Sequence, residues 1–353
     1  MQMNAEDRAR RWARLQEKAT AARTAATLGE ATQAMNRTEA RTQALNERVR
    51  SLGRSGYRYT DELDARAATL IADWPAARRQ VEEAVRQGQA ALGDLDAELA
   101  RALAEGRRAS TEEAMQAAES AVSQAEARAR RVAREARGAL TAFESRLRRL
   151  ETETTHLQWA VDAWDAVSFD TYPDEALVDA CKARWLTGED EGPQGVLFLT
   201  DQRLVMEQKE KVATRKVLFI ATKKELVQAL QFAVPIGAVE VQQAEDARGG
   251  FLGLSKHEML ALAFSAAPTE GKRVSSARLR LLGGADNEHW VALIRRVQRG
   301  DFAAAPAEDA PQEHVAPQDI PTHCPACGAA FTQSIVRGMH ELRCEYCGAV
   351  VRL

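Results

Sequence analysis

Gly195-Val196-Leu197-Phe198-Leu199-Thr200-Asp201-Gln202-Arg203-Leu204-Val205-Met206-Glu207 is the stretch that decides how the middle of this chain folds. Two apolar runs flank the pair Asp201-Gln202, which predicts two antiparallel strands joined by a tight turn. Upstream, Glu191-Gly192-Pro193-Gln194 is a turn cluster that opens the first strand. Downstream, further strands are predicted at 216–220, 238–241, 259–264 and 277–281. Residues 222–230 between them read as a helical turn or short helix. A short amphipathic helix follows from Asn287 to about Arg299, with Trp290, Ile294 and Val297 on one face. Many strands and one closing helix describe a small barrel or sandwich plugged by a helix.

The hairpin follows the pattern Gly-x-Leu-x-Leu-Thr-(Asn/Asp)-x-Arg-Leu-(Ile/Val), and on it the segment 176–301 resembles a PH-like domain of the GRAM type. Val234-Pro235-Ile236, Val239-Glu240-Val241 and the Trp290 helix support the resemblance. It implies a β-barrel closed by a C-terminal helix, a protein- or lipid-binding module, and no intrinsic catalysis. The insertion at 222–230 departs from the simple pattern and argues against carrying over a lipid pocket.

Before this domain the sequence changes character. Apolar or small residues recur at Met115, Ala118, Val122, Ala125, Ala129, Val132, Ala136, Leu140, Phe143, Leu147, Leu150, Thr154, Leu157, Val161 and Trp164. The steps alternate three and four with one stutter at Val132–Ala136–Leu140, which is a heptad seam. It predicts one helix over 110–168, roughly 85 Å long, capped by Ser110 with Glu113 returning the bond. Residues 5–52 repeat the alternation and end at Gly53-Arg54-Ser55-Gly56. A further helical segment starts near Thr60, with Pro75 expected to kink or interrupt it. Short breaks favour antiparallel neighbours. The expectation for 1–168 is an elongated coiled-coil helical bundle, with a second copy as a candidate partner for homo-oligomerisation.

At the other end stand Cys324-Pro325-Ala326-Cys327-Gly328 and Cys344-Glu345-Tyr346-Cys347-Gly348. Two Cys-x-x-Cys-Gly knuckles supply four thiolates, a set that suits tetrahedral Zn²⁺ and leaves no open position for water or substrate. The segment 322–353 resembles a zinc ribbon, with a strand over 330–336 and a second leading into Cys344. A module this short needs a metal or disulfide to fold. The chain has only five cysteines, and residues 1–8 carry no apolar signal core. Both point to a reducing, cytoplasmic location, where the spacing means metal rather than disulfide. Cys181 reads as a buried small residue. His323 and His340 read as bystanders. Residues 302–321, rich in Ala, Pro, Asp, Glu and Gln, read as a flexible linker between 170–301 and 322–353.

The net charge is −3, from 48 basic and 51 acidic residues, so there is no global pull toward nucleic acid or anionic membrane. No apolar run approaches the ~18 residues of a membrane span. The six histidines are scattered, with His156 and His289 read as solvated, and no nucleotide loop or nucleophile elbow is present. No catalytic residue is assigned. The loop holding Phe251, Leu252, Leu254 and Lys256 offers apolar tips beside a cation. It suits a partner groove or a membrane surface, against the competing reading of a turn whose Phe packs back onto the barrel. The chain shows no dense basic cluster of the kind anionic headgroups favour, so a protein partner is preferred over lipid. The resulting expectation is a non-enzymatic cytoplasmic scaffold or adaptor. The alternative is a nucleic-acid-associated regulator using the ribbon and the helical Arg107-Arg108 and Arg128/Arg130/Arg131 clusters.

Overall fold

The structure is a computed structural model of the 353-residue chain. It describes residues 2–188, 190–217, 220–249, 255–302, 322–331, 339 and 341–352, with the backbone alone at 213–217, 220–224, 245–249 and 255–256. The chain divides into two units, Met1–Val49 with Leu63–Glu153, and Arg50–Glu62 with Thr154–Leu353.

The first unit is helical. It is drawn from α1 (Ala5–Ala26), α2 (Gly29–Arg54), α3 (Asp61–Ala91), α4 (Leu95–Arg108), α5 (Glu112–Gly138) and α6 (Thr141–Trp164). Cross-helix bonds fix the direction of each rod. Arg11 bonds Glu119, Lys18 bonds Ser123, Thr38 bonds Glu144 and Arg41 bonds Glu151, at sequence separations of 108, 105, 106 and 110. A near-constant separation means that α1–α2 and α5–α6 run parallel. Partners of α3–α4 descend as those of α1–α2 rise: Arg23 meets Asp96, and Glu39 meets Arg78. The middle rod is therefore antiparallel to the other two, and the unit is an up–down–up three-helix bundle. Its first and third helical stretches are parallel neighbours, which the short-break argument alone does not predict.

The heptad seam fills this bundle from within one chain. Met115, Ala118, Val122 and Ala129 pack with Leu15, Ala19, Leu95 and Leu99. The single helix expected over 110–168 is two, broken at Ala139-Leu140, where the stutter disturbs the seam. The stretch 5–52 is likewise split at Thr27-Leu28, where buried Leu28 adopts φ 54°. Near this level Gly88 lets the rods approach: a Cβ there would stand 2.7 Å from Val132 Cγ1 and 2.9 Å from Leu28 Cδ1.

Two local expectations are corrected. The cap of α5 is Thr111, whose Oγ1 accepts from the Ala114 amide at 3.3 Å, rather than Ser110. Pro75 lies inside α3, which continues past it, so of the expected kink or interruption the interruption is absent. The amide bond to Ile71 that proline forfeits is compensated by flanking burial of Leu70, Trp74 and Ala77, and Trp74 packs on Phe143 with ring centroids 5.2 Å apart.

The second unit is built on an eight-stranded antiparallel sheet. Its strands are β1 (Leu177–Leu186), β2 (Gln194–Thr200), β3 (Arg203–Val217), β4 (Ile220–Pro235), β5 (Val239–Gly249), β6 (Ser255–Phe264), β7 (Glu270–Gly271) and β8 (Ser276–Leu281). The order is β5-β6-β8-β1-β2-β3-β4-β7. β1 pairs with both β2 and β8, which joins the early and late strands into one curled sheet. The Asp201-Gln202 turn is present, with Leu199 opposite Leu204 and Gly195 opposite Gln208. Helix α7 (Asn287–Arg299) is capped by Asp286, whose carboxylate accepts from the His289 amide at 2.7 Å, and is stopped by left-handed Gly300. Trp290, Ile294 and Val297 are buried as expected.

The predicted short helix at 222–230 is strand β4 instead. Its backbone pairs with β3 from Leu204↔Val234 out to Val217↔Ile220. A ladder partner along the whole length overrides a local pattern that reads as helix. The predicted separate strand at 216–220 is likewise the end of β3 and the start of β4, with Leu218 and Phe219 outside the described residues.

Candidate metal centre

The C-terminal cysteine cluster begins with local backbone geometry. At the first knuckle the Cys324 amide donates to Ala329 O at 2.8 Å and the Gly328 amide to Cys324 O at 2.8 Å. The second repeats it: Cys344 to Ala349 O at 2.8 Å and Gly348 to Cys344 O at 2.9 Å. Gly328 and Gly348 both sit at φ 74°, the left-handed region where a side chain is strained. β9 (Glu341–Arg343) and β10 (Val350–Arg352) pair antiparallel behind the second knuckle, over buried Leu342. Thr332, Gln333, Ile335, Val336, Gly338 and His340 lie outside the described residues.

These turns bring Cys324, Cys327, Cys344 and Cys347 together, with all four Sγ atoms within 4.8 Å of one another. Cys324 Sγ lies 3.7 Å from Cys347 Sγ, and Cys327 Sγ 3.6 Å from Cys344 Sγ. Disulfide sulfurs stand ~2.05 Å apart, so these are thiols and not bridges. Cys324 and Cys344 are buried, while Cys327 and Cys347 are exposed. The Cys344 thiol is lowered to about 7, chiefly by the Cys347 amide. At Cys327 the Ala329 amide pulls the thiol down, but the neighbouring thiols outweigh it and push it up to about 12. The cluster can coordinate a metal ion through four sulfurs. His323 Nδ1 sits 3.0 Å from Thr322 Oγ1.

The other proposed site, the loop of Phe251, Leu252, Leu254 and Lys256, falls on residues that are not described or are described by backbone alone. Phe251, Leu252 and Leu254 lie outside the described residues, and of Lys256 in β6 only the backbone, paired with Arg248 of β5, is described. Cys181 is buried as expected, and its thiol is pushed well up, chiefly by burial.

Two polar clusters escaped the sequence reading. Arg203, just past the decisive turn, is fully buried. Its Nε and Nη2 donate to the Glu175 carboxylate at 2.9 and 3.0 Å, Nη1 to Glu270 at 2.9 Å and Nη2 to Asp170 O at 2.7 Å. The guanidinium also lies 3.8 Å over the Tyr172 ring. Burial opposes its charge, but the bonds to Glu175 outweigh that and raise its pKa. Thr200 Oγ1 accepts from the Arg203 amide at 2.9 Å, and Asp201 Oδ1 from the Ala176 amide at 2.9 Å. The polar residues of the hairpin pattern are thus structural. The second cluster is buried Asp179, 2.7 Å from His156 Nε2 and 3.7 Å from His289 Nε2. Burial pushes its carboxyl up, but hydrogen bonds from His156 and His289 prevail and hold it below the ordinary range. The two histidines expected to be merely solvated share this one carboxylate.

No family model matches the chain, and no curated protein matches it. Solved structures similar to it include the DH/PH domains of p115-RhoGEF, 11% identical over 78% of this chain and 94% of that one, with a TM-score of 0.24. The PDZ-RhoGEF DH/PH domains in complex with GTP-γ-S-activated RhoA match at 15% identity, over 61% of this chain and 56% of that one, with a TM-score of 0.24. The DH/PH domain of human ARHGEF11, in a ternary complex with human RhoA and its inhibitor, matches at 14% identity over 81% and 92%, with a TM-score of 0.25. Likeness at these scores carries no argument about this chain.

Proposed function

We propose that this chain is a non-enzymatic cytoplasmic scaffold or adaptor: a helical bundle, a PH-like barrel of the GRAM type and a zinc ribbon. The single observation that carries the reading is the four-sulfur cluster. Zinc–sulfur bonds of ~2.3 Å at a tetrahedron's corners separate the sulfurs by ~3.8 Å, close to the 3.6 and 3.7 Å separations of Cys327–Cys344 and Cys324–Cys347. Four protein ligands close the coordination sphere, so zinc here would hold the fold and not meet a substrate. The strand order, the Thr200–Arg203 turn and the Trp290 helix support the PH-like assignment from the chain's own topology.

The nucleic-acid alternative loses support at its arginines. Arg128 bonds Glu98 at 2.8 Å, Arg130 bonds Glu126 at 2.6 Å and Arg131 bonds Glu135 at 3.4 Å. Self-association through the heptad seam also loses its motive, since one chain fills that seam. Elemental analysis tests the reading: the purified chain should carry about one zinc, and Cys324→Ser should lose or greatly weaken it. Full zinc in Cys324→Ser/Cys347→Ser would sink the assignment. A steeply salt-dependent gel shift would favour the nucleic-acid reading instead.

A further inference from the structure

We propose that the four-cysteine cluster is also a peroxide-responsive site, in which each exposed cysteine is oxidised and then captured by the buried cysteine of the opposite knuckle. Each knuckle holds one cysteine of either kind: Cys324 and Cys344 are buried, Cys327 and Cys347 exposed. The sulfur contacts pair them across the cluster. Cys347 Sγ lies 3.7 Å from Cys324 Sγ, and Cys327 Sγ lies 3.6 Å from Cys344 Sγ. Both contacts therefore join an exposed sulfur to a buried one on the other turn. An approach of about 1.6 Å brings either pair to the bonding distance of a disulfide. The inference rests on the same cluster that carries the metal reading, but its chemistry does not require the metal.

The exposed sulfurs are the ones that a small oxidant in water reaches. The Cys347 thiolate attacks one oxygen of hydrogen peroxide and the O–O bond breaks. The other oxygen takes up a proton and leaves as water, and Cys347 becomes a sulfenic acid. The Cys324 sulfur then attacks the Cys347 sulfur, the S–O bond breaks, and that oxygen leaves as a second water. Cys327 and Cys344 react in the same way. Four thiols and two peroxides thus give two disulfides and four waters, with the cysteines oxidised and the peroxide reduced. Thiol–disulfide exchange with a small cytoplasmic thiol reverses the change.

The crossed pairing is also the one that keeps the knuckles together. Cys324 and Cys347 are 23 residues apart, and Cys327 and Cys344 are 17 apart. The two bonds are nested, and each ties one knuckle to the other. Bonds inside a knuckle would close only a Cys-x-x-Cys ring and leave the two turns unconnected. Longer loops restrict the unfolded chain more, and a segment this short needs a fastening between its turns. Oxidation therefore exchanges the fastening a metal would supply for a covalent one. Cys181 provides the internal contrast. It is 2% exposed, and burial pushes its thiol well up, so it stays reduced.

Peptide mapping of the full chain after hydrogen peroxide decides it, with surviving thiols blocked by an alkylating reagent before digestion. The chain is treated both as purified and after chelation under reductant. The expected products in both preparations are the Cys324–Cys347 and Cys327–Cys344 disulfides, with Cys181 alkylated only after denaturation and all thiols restored by dithiothreitol. Where the chain carries zinc, a chromogenic chelator should register its release in step with disulfide formation. Cys324→Ser should still form Cys327–Cys344 and leave Cys347 as a sulfenic acid that dimedone captures. The wild-type map needs no variant to fold. Disulfides within the knuckles, a mixture of all pairings, or Cys181 oxidised as readily as the cluster overturns the proposal. So do cluster thiols that survive, in either preparation, a peroxide dose that oxidises free cysteine. Crossed disulfides in a chain that carries no zinc would keep this proposal and remove the metal reading, whereas zinc and thiols that both withstand peroxide would do the reverse.

Discussion

At the scale of single residues, Arg203 shows how a motif residue acquires its meaning. Its guanidinium is fully buried between Glu175 and Glu270. Deleting one member of a buried ion pair strands the other charge, at a cost of ~3–5 kcal/mol. Arg203→Ala should therefore lower stability by about that amount in a denaturant titration, and a loss under ~1 kcal/mol would show that the cluster is not coupled. Asp179 gives a pH dependence of known sign. Its folded-state pKa lies below the ordinary carboxylate value, so its stabilisation is fully present above that value. It is lost as pH falls through the folded pKa. Asp179→Asn should flatten the acid limb of a melting-temperature profile, whereas an identical acid limb would exclude the contribution. The four cysteines were legible because three-residue spacing is local chemistry. Glu175 and Glu270 stand 28 and 67 residues from Arg203, and Asp179 stands 23 from His156. Nothing in a linear reading joins residues so far apart.

At the scale of elements, α7 was legible because an amphipathic face reports what covers it. Trp290 is 1% exposed. Trp290→Ala should cost ~3–5 kcal/mol, the range for large buried aromatics, and an unchanged melting temperature would mean that α7 covers no core. The heptad seam was legible as packing against the other helices of the same chain, but the relative direction of those helices was not. Leu147 is buried in the helical unit, so Leu147→Asp should unfold part of that unit, read as lost helical ellipticity; an unpaired carboxylate in an apolar seam is strongly disfavoured. Retained ellipticity and an unshifted melt would contradict that packing. β4 was misread because residues 222–230 carry a helical pattern, while its strand state depends on pairing with β3.

At the scale of the whole molecule, the chain is built of modules that each close on themselves. One chain completes the three-helix bundle, one curled sheet carries the buried core beneath α7, and two knuckles complete a four-sulfur centre. The class of each module followed from periodicity, alternation or spacing. The direction of the rods, the order of the strands and the clusters at Arg203 and Asp179 required long-range register that no local pattern encodes. The central claim is that a metal held by the four cysteines would be structural and local. The backbone bonds of the knuckles, from the Cys324, Gly328, Cys344 and Gly348 amides, all end within the knuckles themselves. Hydrogen–deuterium exchange of the full chain, with and without a metal chelator, tests this directly. The expected result is loss of protection at 322–352, with α1–α7 and β1–β8 unchanged. Undisturbed protection at the knuckles, or loss that spreads through the sheet, would contradict it.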